Sequence, residues 1–338
     1  MKRVLPICVL LTVLVAGWLY AQPAQVRVRL FSVEQPSEIR ITAADRETIQ
    51  LDARKDTRKT FRSEGPVTIE RAGGEAVRVP YPVEVSARNG KLVIITELPL
   101  EDYVAAVLAG ESSGFRAEES LKAMAVAART YAVHFLNRHE TEGFDFCDTT
   151  HCQDFRITAL NARLRKAVEA TSNEVLRYDG RPIPAYYHQD CGGITEPRAP
   201  YLSQLRDSFC ISRGRSQWSA QLTVSDLQSA LGLSEVYRIE VIERTSSGRA
   251  QRLRISGSAT RMIDAEAFRL AIGRTLGWSR IRSDLYEVRR SSDRFIFEGI
   301  GAGHGIGLCQ DGAAVMGERG YTYKEILSYY YPNTTLVQ

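Results

Sequence analysis

From Val26 onward the chain alternates apolar and polar positions. Val26-Arg27-Val28-Arg29-Leu30, Ile39-Arg40-Ile41 and Val77-Arg78-Val79 each keep period two, the pattern of half-buried strands. Between the apolar runs at 83–85 and 92–95 stands Asn89-Gly90, whose tolerance of positive φ makes it a strong hairpin turn. Residues 22–96 are therefore predicted to form a small, mostly antiparallel β unit. At Pro99 the period changes. Leu100, Tyr103, Val104, Val107 and Leu108 recur at helical spacing, with the proline at the first turn. A second helix is expected over 117–138, where Leu121, Met124, Ala125, Ala128, Tyr131, Ala132 and Phe135 form one apolar face. Between the two helices lies the short turn Gly110-Glu111-Ser112-Ser113-Gly114-Phe115.

Further on, a cysteine-rich loop at 144–154 leads into a helix predicted over 157–171. A hairpin follows, with Asp179-Gly180 as its turn and residues 174–178 and 182–188 as its arms. Residues 219–290 read as a mixed α/β segment around a hairpin of 237–243 with 252–256. The last stretch is glycine-rich from Gly299 to Gly312 and ends in a short helix before Tyr329-Tyr330-Tyr331-Pro332. Neither a repeat nor a long linker interrupts this plan. The expected fold is α+β: one catalytic body over 97–338, a β-rich lead-in, and an inserted or appended α/β segment.

The N-terminus stands apart. Lys2 and Arg3 precede an apolar run at 4–21, followed by Gln22-Pro23-Ala24, which reads as a secretory signal. The 18 apolar-run residues also approach the length of a membrane anchor. Either reading places the folded part outside the cytoplasm. Removal of 1–21 leaves five cysteines, Cys147, Cys152, Cys191, Cys210 and Cys309. An odd number in an oxidising compartment cannot all pair as disulfides. Composition changes little in this picture: 44% hydrophobic and 25% charged residues exclude disorder and a polytopic membrane protein. The net charge of +4 is spread along the chain without a basic stripe, which argues against nucleic acid as a partner.

Four stretches could carry chemistry. Glu111, between two apolar helices, could be a carboxyl of raised pKa acting as general acid; taken alone, a helix-capping or solvated glutamate is the better reading. Lys122 and Arg129, seven apart on the next helix, share a stripe that faces either Glu111 or solvent. Cys147-Asp148-Thr149-Thr150-His151-Cys152, with His139 upstream, offers thiolates and imidazoles suited to tetrahedral zinc, or else a Cys147–Cys152 disulfide. Tyr186-Tyr187-His188 before Gly192-Gly193 could stack on and hydrogen-bond sugars, or be ordinary strand residues; Cys191 could pair with Cys210. In Gly301–Gln310 the alternating glycines permit close backbone approach. There His304 is a shuttle, a ligand or a satisfied core residue.

Together these stretches resemble the SpoIID/LytB family of cell-wall proteins. The resemblance is carried by Leu98-Pro99-Leu100-Glu101-Asp102-Tyr103-Val104, Ala109-Gly110-Glu111-Ser112 and the run from Leu121 to Ala132. It continues through Cys147 to Gln153, Ala185-Tyr186-Tyr187-His188, Gly192-Gly193-Ile194-Thr195-Glu196, Gly303 to Ala313, and Ile326 to Pro332. These motifs keep family order over roughly 75–338.

The resemblance implies a peptidoglycan lytic transglycosylase that cleaves between MurNAc and GlcNAc, or else a glycan-binding enhancer of a cell-wall amidase. It puts Glu111 in the catalytic place, Lys122 and Arg129 on basic positions facing the cleft, and Gln153, Tyr187, His188, Gly193 and His304 with them at the substrate. It also implies a structural zinc held by Cys147, His151 and Cys152, with His139 as fourth ligand and His134 as the alternative. Cys309, where many members carry serine or threonine, is not expected to be catalytic. Peptidoglycan glycan strands, and an amidase in the second reading, are the implied partners.

Overall fold

The computed structural model describes residues 22–43, 48–56, 60–214 and 216–338. Among them lie eight α-helices and twenty strands, and the strands pair antiparallel in all but two short pairings (Gln25–Leu30 with Phe146–Cys147, Tyr187–His188 with Leu308–Cys309), so the fold is α+β. The expected leader at 1–21 lies outside the described residues. Within them no helix is long and apolar enough to cross a membrane.

Two sheets form the lead-in. In the first, Gln25–Leu30 pairs antiparallel with Lys91–Pro99, and Lys91–Pro99 pairs with Val83–Arg88. Their hairpin turns at Asn89-Gly90, both at positive φ (50° and 71°), as a two-residue turn of this hand requires. Val26, Val28 and Leu30 point inward while the intervening arginines point out. Phe146–Cys147 joins the free edge of Gln25–Leu30 in parallel, a long-range pairing that hangs the cysteine loop on this sheet. The second sheet runs in the order Ile49–Asp52, Glu38–Ala43, Val67–Arg71, Val77–Val79.

Helix α1, Leu100–Glu111, leaves the strand Lys91–Pro99 directly, and α2 spans Glu118–His134. Helix α2 buries residues around most of its circumference rather than along one face. The reason is its central position: α1, α3 (Ala162–Glu169), the strand Val175–Tyr178 and the two C-terminal helices all pack on it. Its alanines permit that close approach. The helix predicted over 157–171 is broken. A 3₁₀ turn at Ile157–Ala159 is followed by extended Leu160 and Asn161, and the Asn161 side chain caps α3 by accepting from Leu164 N–H at 3.1 Å.

A short helix α4, Ser208–Arg213, precedes a segment with its own core. There α5 (Val224–Leu231) and α6 (Ala265–Leu276) pack with two three-stranded antiparallel sheets around Leu222, Leu253, Phe268, Phe295 and Phe297. The chain returns at Gly301, and α7 (Gln310–Glu318) and α8 (Tyr323–Tyr330) rejoin the first core. The predicted hairpin after α3 forms only in part. Val175–Tyr178 pairs with Arg181–Pro182 across Asp179-Gly180. Tyr187–His188 instead pairs in parallel with Leu308–Cys309.

Candidate active site

Glu111 ends α1. The residue before it is glycine for a steric reason: a Cβ on Gly110 would lie 2.1 Å from the carbonyl oxygen of Asp154. The loop 152–156 thus crosses the end of α1, where Arg156 N–H donates to Ala106 O at 2.9 Å. That crossing aims Asp154 N–H at Glu111 Oε1, 2.9 Å away. The parallel strands Tyr187–His188 and Leu308–Cys309 bring in the other partners. Gln310 Nε2 donates to Glu111 Oε2 at 3.2 Å, and the Tyr187 hydroxyl lies 3.5 Å from Oε1.

A buried relay sets the direction of these bonds. Tyr103 O–H donates to Gln153 Oε1 at 3.0 Å, and Gln153 Nε2 donates to the Tyr187 hydroxyl at 2.8 Å. Tyr187 therefore accepts from Gln153 and turns its own proton toward Glu111. Burial raises the Glu111 carboxyl above the ordinary glutamate value, and the charge of Asp154 adds to the rise. Donation from Asp154 N–H, Gln310 and Tyr187 works against it, but burial prevails. The Tyr187 phenol is pushed well above its usual range, first by burial and then by the Glu111 charge, so it remains a donor. The result is a carboxyl with a fixed orientation and a raised pKa, able to give and retake a proton. A neighbouring carboxylate, Asp154, is bound to Arg156 Nε at 2.8 Å.

The loop that supplies Gln153 and Asp154 begins in a cluster of metal-ligating groups. Donor atoms of His139, Cys147, His151 and Cys152 all lie within 4.8 Å of one another. Cys152 Sγ is 3.4 Å from both Cys147 Sγ and His139 Nε2, and Cys147 Sγ is 3.6 Å from His151 Nδ1. Both cysteines are free thiols. The thiol of Cys152, donating to Cys147, holds Cys147 well below an ordinary cysteine. His139 Nδ1 meets Glu142 Oε1 at 2.7 Å, which orients the ring and leaves Nε2 to face the sulfurs. Two sulfurs and two ring nitrogens fit a tetrahedral zinc shell. His134 is outside the cluster, its Nδ1 bonded to Pro182 O at 2.8 Å.

Several expected site residues lie elsewhere. Arg129 faces neither the cleft nor solvent. It is 0% exposed and grips Glu101 with two bonds (2.8 and 2.6 Å), and it also donates to Glu174 O and Val168 O. Lys122 pairs with Glu119 at 2.6 Å rather than with Glu111. The reason in both cases is an acid closer at hand on the packing surface. His188 lies on the opposite side of its strand from Tyr187, as the alternation of side chains demands. It bonds Ile306 O through Nδ1, and burial lowers its pKa to about 3. His304 Nδ1 accepts from Ile306 N–H, and its ring packs on His188. Gly193 donates to Cys191 Sγ, and the Cys191–Cys210 disulfide is not formed. The reading of the sequence missed Tyr103, Asp154 and Gln310 as partners of this site. Gln310 closes the glycine-rich stretch, but no local signal ties it to Glu111.

Comparison with known proteins adds to this geometry. Residues 88–178 match the family described as Stage II sporulation protein (SpoIID), and residues 213–307 match a domain of unknown function, DUF8618. An uncharacterized protein of Brachyspira hyodysenteriae is 31% identical over 78% of this chain and 72% of its own length. The Stage II sporulation protein D of Bacillus subtilis is 26% identical over 85% of this chain and 87% of its own. The amidase enhancer of the same species is 27% identical over 64% of this chain but only 38% of its own length. The SpoIID match covers α1, α2 and the Cys/His loop, and so Glu111 and its partner Asp154 but not Tyr187 or Gln310, and the relatives extend the likeness over most of the sequence: the chain belongs to the SpoIID/LytB family.

Proposed function

We propose that the protein acts on the cell wall as an exported peptidoglycan lytic transglycosylase, with Glu111 as its acid and then its base. The observation that carries this reading is the setting of Glu111: a carboxyl of raised pKa, held by donors from three distant segments. The protonated carboxyl gives its proton to the glycosidic oxygen between MurNAc and GlcNAc as the C1–O bond breaks. The carboxylate then takes the proton of the MurNAc C6 hydroxyl while that oxygen bonds C1. A 1,6-anhydro end forms, the acid is restored and no water is consumed. Attack within one sugar has a high effective molarity, so a second carboxylate to activate water is not needed. The engagement of Asp154 by Arg156 is consistent with one working carboxyl.

His139, Cys147, His151 and Cys152 would hold zinc in a shell filled by protein, which would brace the loop and supply no open position for chemistry. What the loop braces is the pair Gln153 and Asp154, which orient Glu111 through Tyr187 and directly. The charged and apolar N-terminal residues support export. Purified glycan strands, with stem peptides present and removed, are digested with the wild type and Glu111→Gln and the products weighed. Anhydro-MurNAc ends from the wild type alone are expected. Binding without any product would instead favour a non-catalytic role beside an amidase, in keeping with the name of one relative.

A further inference from the structure

One residue before Gln310, a second cluster of metal-ligating side chains lies outside the reaction just described. The sulfurs of Cys191, Cys210 and Cys309 and a carboxylate oxygen of Asp190 all lie within 4.8 Å of one another, and each residue is at most 1% exposed. The four come from three segments. Asp190 and Cys191 follow the strand Tyr187–His188, Cys210 lies in α4, and Cys309 caps α7.

The surroundings are those of thiolates. Gly192 and Gly193 both take positive φ (69° and 97°), which turns Gly193 N–H onto Cys191 Sγ at 3.3 Å. Cys191 N–H points at Cys309 Sγ, also at 3.3 Å. The carboxylate is oriented too, with Asp190 Oδ1 accepting from Gly192 N–H at 2.7 Å and Oδ2 from Ser216 N–H at 2.8 Å. Cys210 Sγ stands 3.0 Å from Asp190 Oδ1. Buried Arg249 donates to Cys191 O at 2.7 Å and to Ile194 O at 3.0 Å, which brings a positive charge beside the group.

We propose that Cys191, Cys210, Cys309 and Asp190 form a second, closed metal site for a thiophilic divalent cation, zinc being the best match. Three thiols cannot pair off as disulfides without leaving one over, whereas three sulfurs and one oxygen complete a tetrahedron. Binding replaces the Cys210–Asp190 hydrogen bond with bonds from both atoms to the cation and releases the thiol protons to solvent. The negative charge that remains is offset by Arg249 and by the N–H groups aimed at sulfur. Four protein donors, each at most 1% exposed, fill the tetrahedron and leave no open position for a reactive water, so the role is structural. The cation would tie α4, where the chain departs for the second core, to the start of α7, where Gln310 reaches Glu111. None of this depends on the reaction assigned to Glu111.

The test is metal and thiol stoichiometry on the full chain purified without reductant or chelator. Two zinc ions per chain are expected, with one lost in Cys210→Ser and the other in Cys152→Ser. Since Cys210→Ser could fail to fold, the decisive readout is made on Cys152→Ser. Withdrawal of its remaining zinc by a chromogenic chelator is expected to expose three thiols per metal to an alkylating reagent. Alkylation of the unfolded, unreduced wild type is expected to label Cys191, Cys210 and Cys309 alike. A disulfide within this trio would overturn the proposal, as would a single zinc per chain that vanishes in Cys152→Ser.

Discussion

Glu111 is held between opposing influences, and each is tied to a residue that can be changed. Burial and the Asp154 charge raise its pKa, while Gln310, Tyr187 and Asp154 N–H lower it. The acid step needs the protonated form, so activity falls as pH rises through that pKa. Gln310→Leu removes a donor to the carboxylate and is expected to move the alkaline limb of kcat/KM to higher pH. Asp154→Asn removes a like charge and is expected to move it lower, with anhydro product still made. Opposite shifts in one assay check both. A carboxyl with a higher pKa in the folded than in the unfolded chain binds its proton more tightly when folded. Stability therefore falls as pH rises from the ordinary glutamate value through the folded one. Above that window Glu111→Gln should melt no lower than wild type while losing at least about 10²-fold in activity, as loss of an acid–base group does.

At the scale of elements, the site depends on how α1 is fastened. Its first turn carries Glu101, whose carboxylate takes two bonds from Arg129 of α2, and its last residue is Glu111. Glu101→Ala leaves a fully buried guanidinium without its counter-charge and is expected to cost about 3 kcal/mol in urea unfolding. The loop from Cys147 to Asp154 is the second fastening. Cys152→Ser is expected to release one zinc ion and lower the melting temperature, checked by elemental analysis and calorimetry. Local elements such as these were largely legible in the sequence. Asn89-Gly90 and Asp179-Gly180 announce their turns because a two-residue turn needs positive φ, and α1 and α2 announce themselves by period. Partners were not. Arg129 reads as cleft or solvent because nothing near it in sequence reveals that Glu101, 28 positions away, lies opposite. The break before α3 went unseen because Asn161 acts as a cap only once Leu160 is extended.

Over the whole molecule, distance along the chain separates what could be read from what could not. Glu111 and Gln310 are 199 positions apart and meet only because Tyr187–His188 and Leu308–Cys309 pair in parallel, with the whole second core inserted between those strands. The Cys/His cluster was legible because its four side chains fall within fourteen positions, whereas the Cys191, Cys210 and Cys309 group spans three segments. Resemblance supplied what spacing could not, the weight given to Glu111 over a capping residue. The most direct test of that weight is digestion of glycan strands in water enriched in oxygen-18, followed by mass analysis of the new MurNAc ends. Intramolecular attack by the C6 hydroxyl is expected to give anhydro ends free of the label. Reducing ends carrying oxygen-18 would mean that water attacks C1, and a transglycosylase acting through Glu111 alone would be contradicted.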